Sequence, residues 1–172
     1  HADYSFHLPS DAPEFVKNFT AKLIQDKGDD VPVSLLPSNG VFPTGTTKYE
    51  KRNISDQIPV WDPALCIQCS KCALVCPHSV IRIKAYDAKE VEGAPQTFKS
   101  IAAKGNEFDP GMLYTIQVAP EDCTGCELCV EVCPAKSKTD PNVKAINMHV
   151  ARDIQKDEIE NFQNENTLIN QQ

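Results

Sequence analysis

Basic residues in excess are what this sequence most plainly lacks. Its 17 Lys and Arg stand against 24 Asp and Glu, for a formal net charge of −7. Phosphate backbones select the opposite balance, which argues against nucleic acid as a partner. Long apolar runs are missing too. None approaches the ~18–20 residues of a membrane span, and no apolar stretch near the N-terminus has the look of an export signal. No membrane association is therefore expected, and the thiols are expected in a reducing compartment, the cytoplasm or an organelle of similar poise such as a hydrogenosome. Aromatic residues make up 7% and apolar residues 41% of the 172 positions, slim means for a large core, so one domain or a small domain with extensions is expected. The chain opens on His1 rather than methionine, as a piece of something longer would.

Cysteine is absent everywhere except in two short blocks, and no histidine sits at ligand spacing beside them. The 8 cysteines fall at Cys66, Cys69, Cys72 and Cys76-Pro77, and again at Cys123, Cys126, Cys129 and Cys133-Pro134. Each block reads C-x2-C-x2-C-x3-C-P, the spacing of bacterial proteins that hold cubane [4Fe–4S] clusters. Three cysteines on a tight loop reach three irons on one face of a cube, and the fourth, at the start of a helical turn, points elsewhere. In two-cluster proteins that fourth cysteine ligates the other cluster. The expected ligand sets are therefore Cys66, Cys69, Cys72 and Cys133 for one cluster, and Cys123, Cys126, Cys129 and Cys76 for the other. Zinc would favour separated C-x2-C pairs, and a disulfide framework belongs to oxidising compartments. An acidic surface suits a redox protein whose partner docks partly by charge complementarity.

Along the chain, residues 1–57 read as an N-terminal extension. An arm over 1–10 leads to an amphipathic helix over 11–27, with Asp11 and Glu14 as a capping box, Pro13 in the first turn, and Phe15, Val16, Phe19, Leu23 and Ile24 as its apolar stripe. Lys27-Gly28 is expected to close it. That role accounts for Gly28 without a diphosphate-binding Gly-Asp-Gly motif, since the third residue is Asp30. Residues 31–36, between Pro32 and Pro37, suggest an edge strand or extended arm, and Asn39-Gly40 a turn. Residues 58–152 read as the cluster domain, with strands over 58–61, 81–84, 113–118 and 145–148 and short helices over 71–75 and 127–132. This order, strand–helix–strand twice over, predicts an α+β fold: a duplicated bacterial two-[4Fe–4S] ferredoxin fold (βαββαβ) with loop insertions at 86–111 and 136–143. Residues 153–172, acidic and then Asn/Gln-rich, read as a tail or linker in which Ile154, Ile159 and Phe162 offer a weakly amphipathic helix.

Around the ligands, Ile67, Leu74, Val75, Leu128, Val130 and Val132 are candidates for dry walls, and Gly125 permits close backbone approach. Trp61 reads as packing and His78 as a loop residue. Lys71 lies inside the first block, whereas Glu121, Asp122, Glu127 and Glu131 surround the second. Carboxylates disfavour added negative charge, so the cluster on Cys123, Cys126, Cys129 and Cys76 is expected to have the lower potential.

Beyond the cysteines, Pro43-Thr44-Gly45-Thr46-Thr47-Lys48-Tyr49-Glu50-Lys51-Arg52-Asn53-Ile54, Ile58-Pro59-Val60-Trp61, Cys66-Ile67-Gln68-Cys69-Ser70-Lys71-Cys72 through Cys76-Pro77-His78, and Lys144-Ala145-Ile146-Asn147-Met148 resemble pyruvate:ferredoxin oxidoreductase. The likeness covers roughly 28–150. It implies the ferredoxin-type domain of a long, homodimeric polypeptide of anaerobic metabolism, which binds thiamine diphosphate, a third [4Fe–4S] cluster and coenzyme A on other domains and passes electrons from pyruvate to external ferredoxin or flavodoxin. No catalytic residue for pyruvate chemistry is expected in this chain. An independent two-cluster ferredoxin, or an iron–sulfur subunit of another redox complex, is the alternative.

Overall fold

The computed structural model describes residues 8–51 and 53–169, with side chains as far as 165. The first seven residues of the expected arm, Arg52 of the resemblance stretch and the last three residues of the tail lie outside the described residues. The chain divides at Asn53–Ile54 into two compact units, a little before the boundary expected after residue 57.

In the first unit a helix, α1, runs over 14–24 and widens to a π-helical segment at Val16–Thr20. Its apolar stripe forms as expected: Val16, Phe19 and Ala21 are buried, and Phe15 stacks on Phe19 with ring centroids 4.9 Å apart. Both rings meet Phe42, at 6.1 and 5.7 Å. The ends differ from expectation. Glu14 accepts a bond from Asn18 Nδ2 at 3.1 Å and so caps nothing. At the other end Asp26, φ 58°, takes the left-handed position expected of Gly28. Lys27 N–H then reaches Lys22 O (2.8 Å) and Asp26 N–H reaches Leu23 O (3.2 Å), the paired bonds of a Schellman motif. An aspartate tolerates that conformation better than most residues. Residues 31–36 form no strand. Pro32 leads into a 3-10 turn at Val33–Leu35, because the two prolines remove the donors a sheet edge would need. The turn at Asn39-Gly40 is present, with Asn39 Oδ1 accepting Val41 N–H at 3.0 Å.

The second unit carries the cysteines on two antiparallel sheets. Strands β1 (Gln57–Trp61) and β5 (Ile146–Val150) form a ribbon in which Trp61 faces Ile146. Pro59 fits there because a two-stranded ribbon leaves one side of each strand unpaired. The other sheet has β4 (Met112–Val118) between β2 (Ile81–Asp87) and β3 (Ile101–Ala102), with Ile81 opposite Val118. Helix α2 (Lys71–Val75) follows the first cysteine loop and α3 (Leu128–Glu131) the second, and the two helices pack on each other. The larger insertion is therefore not a free loop: it supplies β3. The smaller one folds back on itself through a Lys136–Lys144 bridge and Ser137 N–H to Val143 O at 2.8 Å.

The tail is more ordered than a linker with a weakly amphipathic helix. Residues Ala151–Ile169 form one helix, α4, packed on β4, on β1 and β5, and on the turn at Pro120–Asp122. The weakly amphipathic pattern understated this helix: Ile154 and Phe162 pack against the core as that pattern would have them, but Glu158, Asn161 and Glu165 recur at helical spacing and put polar groups on the inward side. Asn161 exchanges hydrogen bonds with Thr97, accepting Thr97 Oγ1 at 3.0 Å and donating Nδ2 to Thr97 O at 3.4 Å. Glu165 is 0% exposed and neither carboxylate oxygen has a hydrogen-bond partner. Burial pushes its carboxyl up to about 7, against the opposing charges of Arg82 and Lys84. Burial raises Glu158 as well, with Lys99 opposing. A carboxyl whose folded value lies above its unfolded one stabilises the folded state below the unfolded value and loses that contribution as pH rises through the folded value. Hydrogen-exchange protection of the α4 amides is therefore expected to fall as pH rises from about 4.5 through about 7, and Glu165→Gln should flatten this dependence.

Candidate metal centre

The two cysteine loops share one backbone design. In the first, Gln68 and Ser70 both have φ 60°; in the second, Gly125 and Glu127 have φ 67° and 62°. Alternating left-handed residues curl each loop so that cysteines and amides face inward, at about 1 kcal/mol or more for every non-glycine residue held there. Gln68 N–H points at Cys66 Sγ (3.3 Å) and Gly125 N–H at Cys123 Sγ (3.4 Å). These equivalent bonds stabilise negative charge on sulfur.

Two hollows result. One is lined by Cys66, Cys69 and Cys72 from the first block and Cys133 from the second, with Trp61, Ile116, Ala135, Ala145 and Ile146 among its walls. The other is lined by Cys123, Cys126 and Cys129 with Cys76, against Pro59, Pro77, Val80, Ile81 and Met148. Cys66, Cys72, Cys123 and Cys129 are buried, and Cys69 and Cys126 are exposed. The dry walls thus come mostly from the strands and the residues that flank them. Of the loop residues expected to supply them, Ile67 does line the first hollow, though it is 55% exposed, whereas Leu74 is 83% exposed and Leu128 is also exposed. A loop that turns its sulfurs and amides inward has to splay its intervening side chains outward. Only Val130 of the six packs against the core. His78 is exposed and borders the second hollow, while Trp61 is buried, 6.3 Å from the Tyr114 ring.

This donor set suits a bulky, thiolate-bound group. All the cysteines are free, and among the described residues no three His, Cys, Asp or Glu side chains converge on the point a single ion would need. Burial pushes the Cys72 thiol up to about 11 and the Cys129 thiol to about 12, and raises Cys123 as well. Such thiols stay protonated at neutral pH until a cationic group displaces the protons, so loading releases them.

Sequence reasoning missed what surrounds the loops. The 97–104 strap lies along the first: Gln68 Nε2 donates to Ala102 O (2.8 Å), Lys104 N–H donates to Gln68 Oε1 (2.8 Å), and Lys104 Nζ donates to Cys66 O (3.2 Å). Lys99 Nζ donates to Trp61 O at 3.0 Å. Lys144 Nζ donates to Val130 O (2.7 Å) and Glu131 O (3.2 Å) at the end of α3, shortly before Cys133. At the second loop Ser55 stands where a Cβ on Gly125 would go. Aligning the two blocks offers the one available signal, since Gln68 falls opposite Gly125.

Residues 65–137 match the family described as a 4Fe-4S dicluster domain, and residues 2–55 match EKR, described as a domain of unknown function. The chain is 54% identical over 151 residues, 88% of its length, to the pyruvate-flavodoxin oxidoreductase of Nostoc sp.. It is 52% identical over 80% of its length to a probable pyruvate-flavodoxin oxidoreductase of Escherichia coli. A further relative, the pyruvate:ferredoxin oxidoreductase of Moorella thermoacetica, is 49% identical over 75%. The chain carries a two-cluster iron–sulfur domain and is homologous to a segment of the pyruvate oxidoreductases. It spans 12% of the length of the Nostoc and Escherichia coli relatives and 11% of the Moorella one. The 4Fe-4S dicluster domain takes two [4Fe–4S] clusters, in keeping with the paired hollows. No helix among the described residues is long and apolar enough to cross a membrane.

The second loop is expected to tolerate no side chain at Gly125. Gly125→Ala places a methyl against Ser55 at positive φ and should cost about 1–3 kcal/mol, read as a lower thermal midpoint of the cluster-loaded protein. Adding Ser55→Gly should recover the steric part alone.

Proposed function

We propose that this chain is the electron-relay segment of a pyruvate (2-oxoacid):ferredoxin or flavodoxin oxidoreductase. In this reading Cys66, Cys69, Cys72 and Cys133 hold one cluster and Cys123, Cys126, Cys129 and Cys76 the other. The observation that carries the ligand sets is the lining of each hollow by three cysteines of one block and the fourth of the other. The order β1–α2–β2 and then β4–α3–β5 supports a duplicated βαββαβ ferredoxin fold whose crossed fourth ligands lock the halves together. We read the cluster module as running from Ile54 through α4, with residues 1–53 as a separate extension. Thiamine diphosphate, a third [4Fe–4S] cluster and coenzyme A belong to the rest of the parent polypeptide. So do the oxidation of pyruvate and any homodimer contact, and external ferredoxin or flavodoxin is the acceptor.

When bound, each cluster supplies a one-electron store. The chain's own residues do the tuning. Backbone N–H groups of Gln68 and Gly125 stabilise charge on Cys66 and Cys123 sulfur. The strand side chains exclude water from the hollows, which strengthens every nearby charge. Lys71 borders the first hollow and Glu127 the second, and Lys104 and Lys99 add cations on the first side only.

Two measurements test this reading. The parent polypeptide, prepared anaerobically, should bind four irons and four acid-labile sulfides for each of the two clusters assigned here. Cys133→Ser should perturb the same electron paramagnetic resonance signal as Cys69→Ser, and Cys76→Ser the same signal as Cys126→Ser. Pairing by block instead would refute the crossed ligand sets, and zinc in place of iron would refute the function. Second, Glu127→Gln should raise the lower of the midpoints of these two clusters in a redox titration, since Glu127 opposes added negative charge at the second hollow. Movement of the higher midpoint alone would reverse the assigned order.

A further inference from the structure

The two cysteine loops differ at one position in a way their shared backbone does not explain. Both need a left-handed residue two places after the first cysteine. The second block uses Gly125 there, which adopts φ 67° freely; the first uses Gln68 at φ 60°. A glycine at 68 would make the same turn without the strain, so the side chain has to contribute something that offsets it.

Its contacts say what. Strand β3 pairs with β4 through Ile101 and Ala102, and Ala103 N–H donates to Met112 O at 2.9 Å. That leaves Ala102 O and Lys104 N–H on the strap's other edge. The Gln68 carboxamide satisfies both, donating to the first and accepting from the second, each at 2.8 Å. A primary amide offers a donor and an acceptor side by side, so it stands in for the backbone of a further strand. With the strap pinned, Lys104 Nζ rests on the carbonyl of Cys66 at 3.2 Å. At the second loop Gly125 has no side chain to make such a tie, and Ser55 occupies the space.

We propose that Gln68 is a positioning residue for the first cluster: its carboxamide clamps the Ala102–Lys104 strap onto the cysteine loop and so holds the Lys104 ammonium beside that cluster, raising its reduction potential. Gln68 acts through Lys104, not on the cluster itself. A cation held against a partly buried site favours added negative charge more than one free to withdraw into water, where screening is strong. The proposal rests on the ligand set Cys66, Cys69, Cys72 and Cys133 argued above.

The test is a double-mutant cycle in the cluster-loaded parent polypeptide, followed by redox titration with electron paramagnetic resonance. The signal altered by Cys69→Ser identifies the first cluster. Gln68→Gly keeps the left-handed turn and removes the tie; Lys104→Met removes the charge. Each is expected to lower the midpoint of the first cluster and leave the others unmoved. The double variant is expected to fall no further than Lys104→Met alone, because an untied strap has no charge left to misplace. Iron content equal to wild type shows that the shift is not cluster loss. If Gln68→Gly does lose iron, Gln68→Asn replaces it: asparagine accepts the left-handed backbone but is too short to span both strap groups. An unmoved or raised midpoint in the Gln68 variant, additive shifts, or a shift in the other cluster would overturn the proposal. Failure of the ligand set is read separately, as Cys69→Ser and Cys133→Ser altering different signals.

Discussion

Neither half of the cysteine-bearing unit can enclose its own hollow. Each takes three sulfurs from one loop and a fourth from the other block, with walls drawn from strands on both sides of the unit. Much of the remaining architecture meets this one requirement. Packing of α2 on α3 sets the two fourth cysteines in crossing directions, each followed by a proline that stops its helix. The β1–β5 ribbon pairs the first strand of the unit with its last, contributing Trp61 and Ile146 to one hollow and Pro59 and Met148 to the other. The apolar fraction is modest because the thiols occupy the centre of the core: Cys66, Cys72, Cys123 and Cys129 belong to the same buried cluster as Ile58, Ile116 and Val118. Bonds to a metal group then replace part of the hydrophobic stabilisation a chain of this size would otherwise need.

The halves share a backbone but have different surroundings. Around the first loop the insertion has become a third strand and a strap whose lysines reach Cys66 and Trp61. Around the second, the chain entering β1 closes over bare backbone at Gly125. Sites built alike are thereby given unlike electrostatics, since local charge and the loss of water set the potential of such groups as much as the ligands do. Helix α4 extends the same tendency. It covers the central strand β4 with an inward face that includes amides and carboxyls, held by Thr97 of the larger insertion, so two of the segments that depart from a minimal duplicated unit are bonded to each other.

Much of this was legible beforehand. The cysteine spacing indicated the chemistry and the crossed lining, because three sulfurs on a tight loop cannot complete a set of four and the Cys-Pro step directs the last one away. Four of the five strands were legible, β3 being hidden in the insertion, and both short helices lie within a residue of where the cysteine loops placed them. The misses share a cause. Residues 31–36 have the composition of a strand but no partner edge; the close of α1 turned on Asp26 accepting a conformation usually left to glycine; α4 hid its buried face behind Asn161 and Glu165.

What the sequence alone determined is therefore the iron–sulfur chemistry and its local scaffold: the two blocks of four cysteines and the turns that present them, all set by spacings of a few residues. What only the tertiary structure decided is the environment. Gln68 meets Ala102 and Lys104 across 34 and 36 residues, and Thr97 meets Asn161 across 64. No local pattern encodes such meetings, because a polar side chain takes a buried place only once a distant segment offers it a hydrogen bond, and that offer exists only in the folded chain.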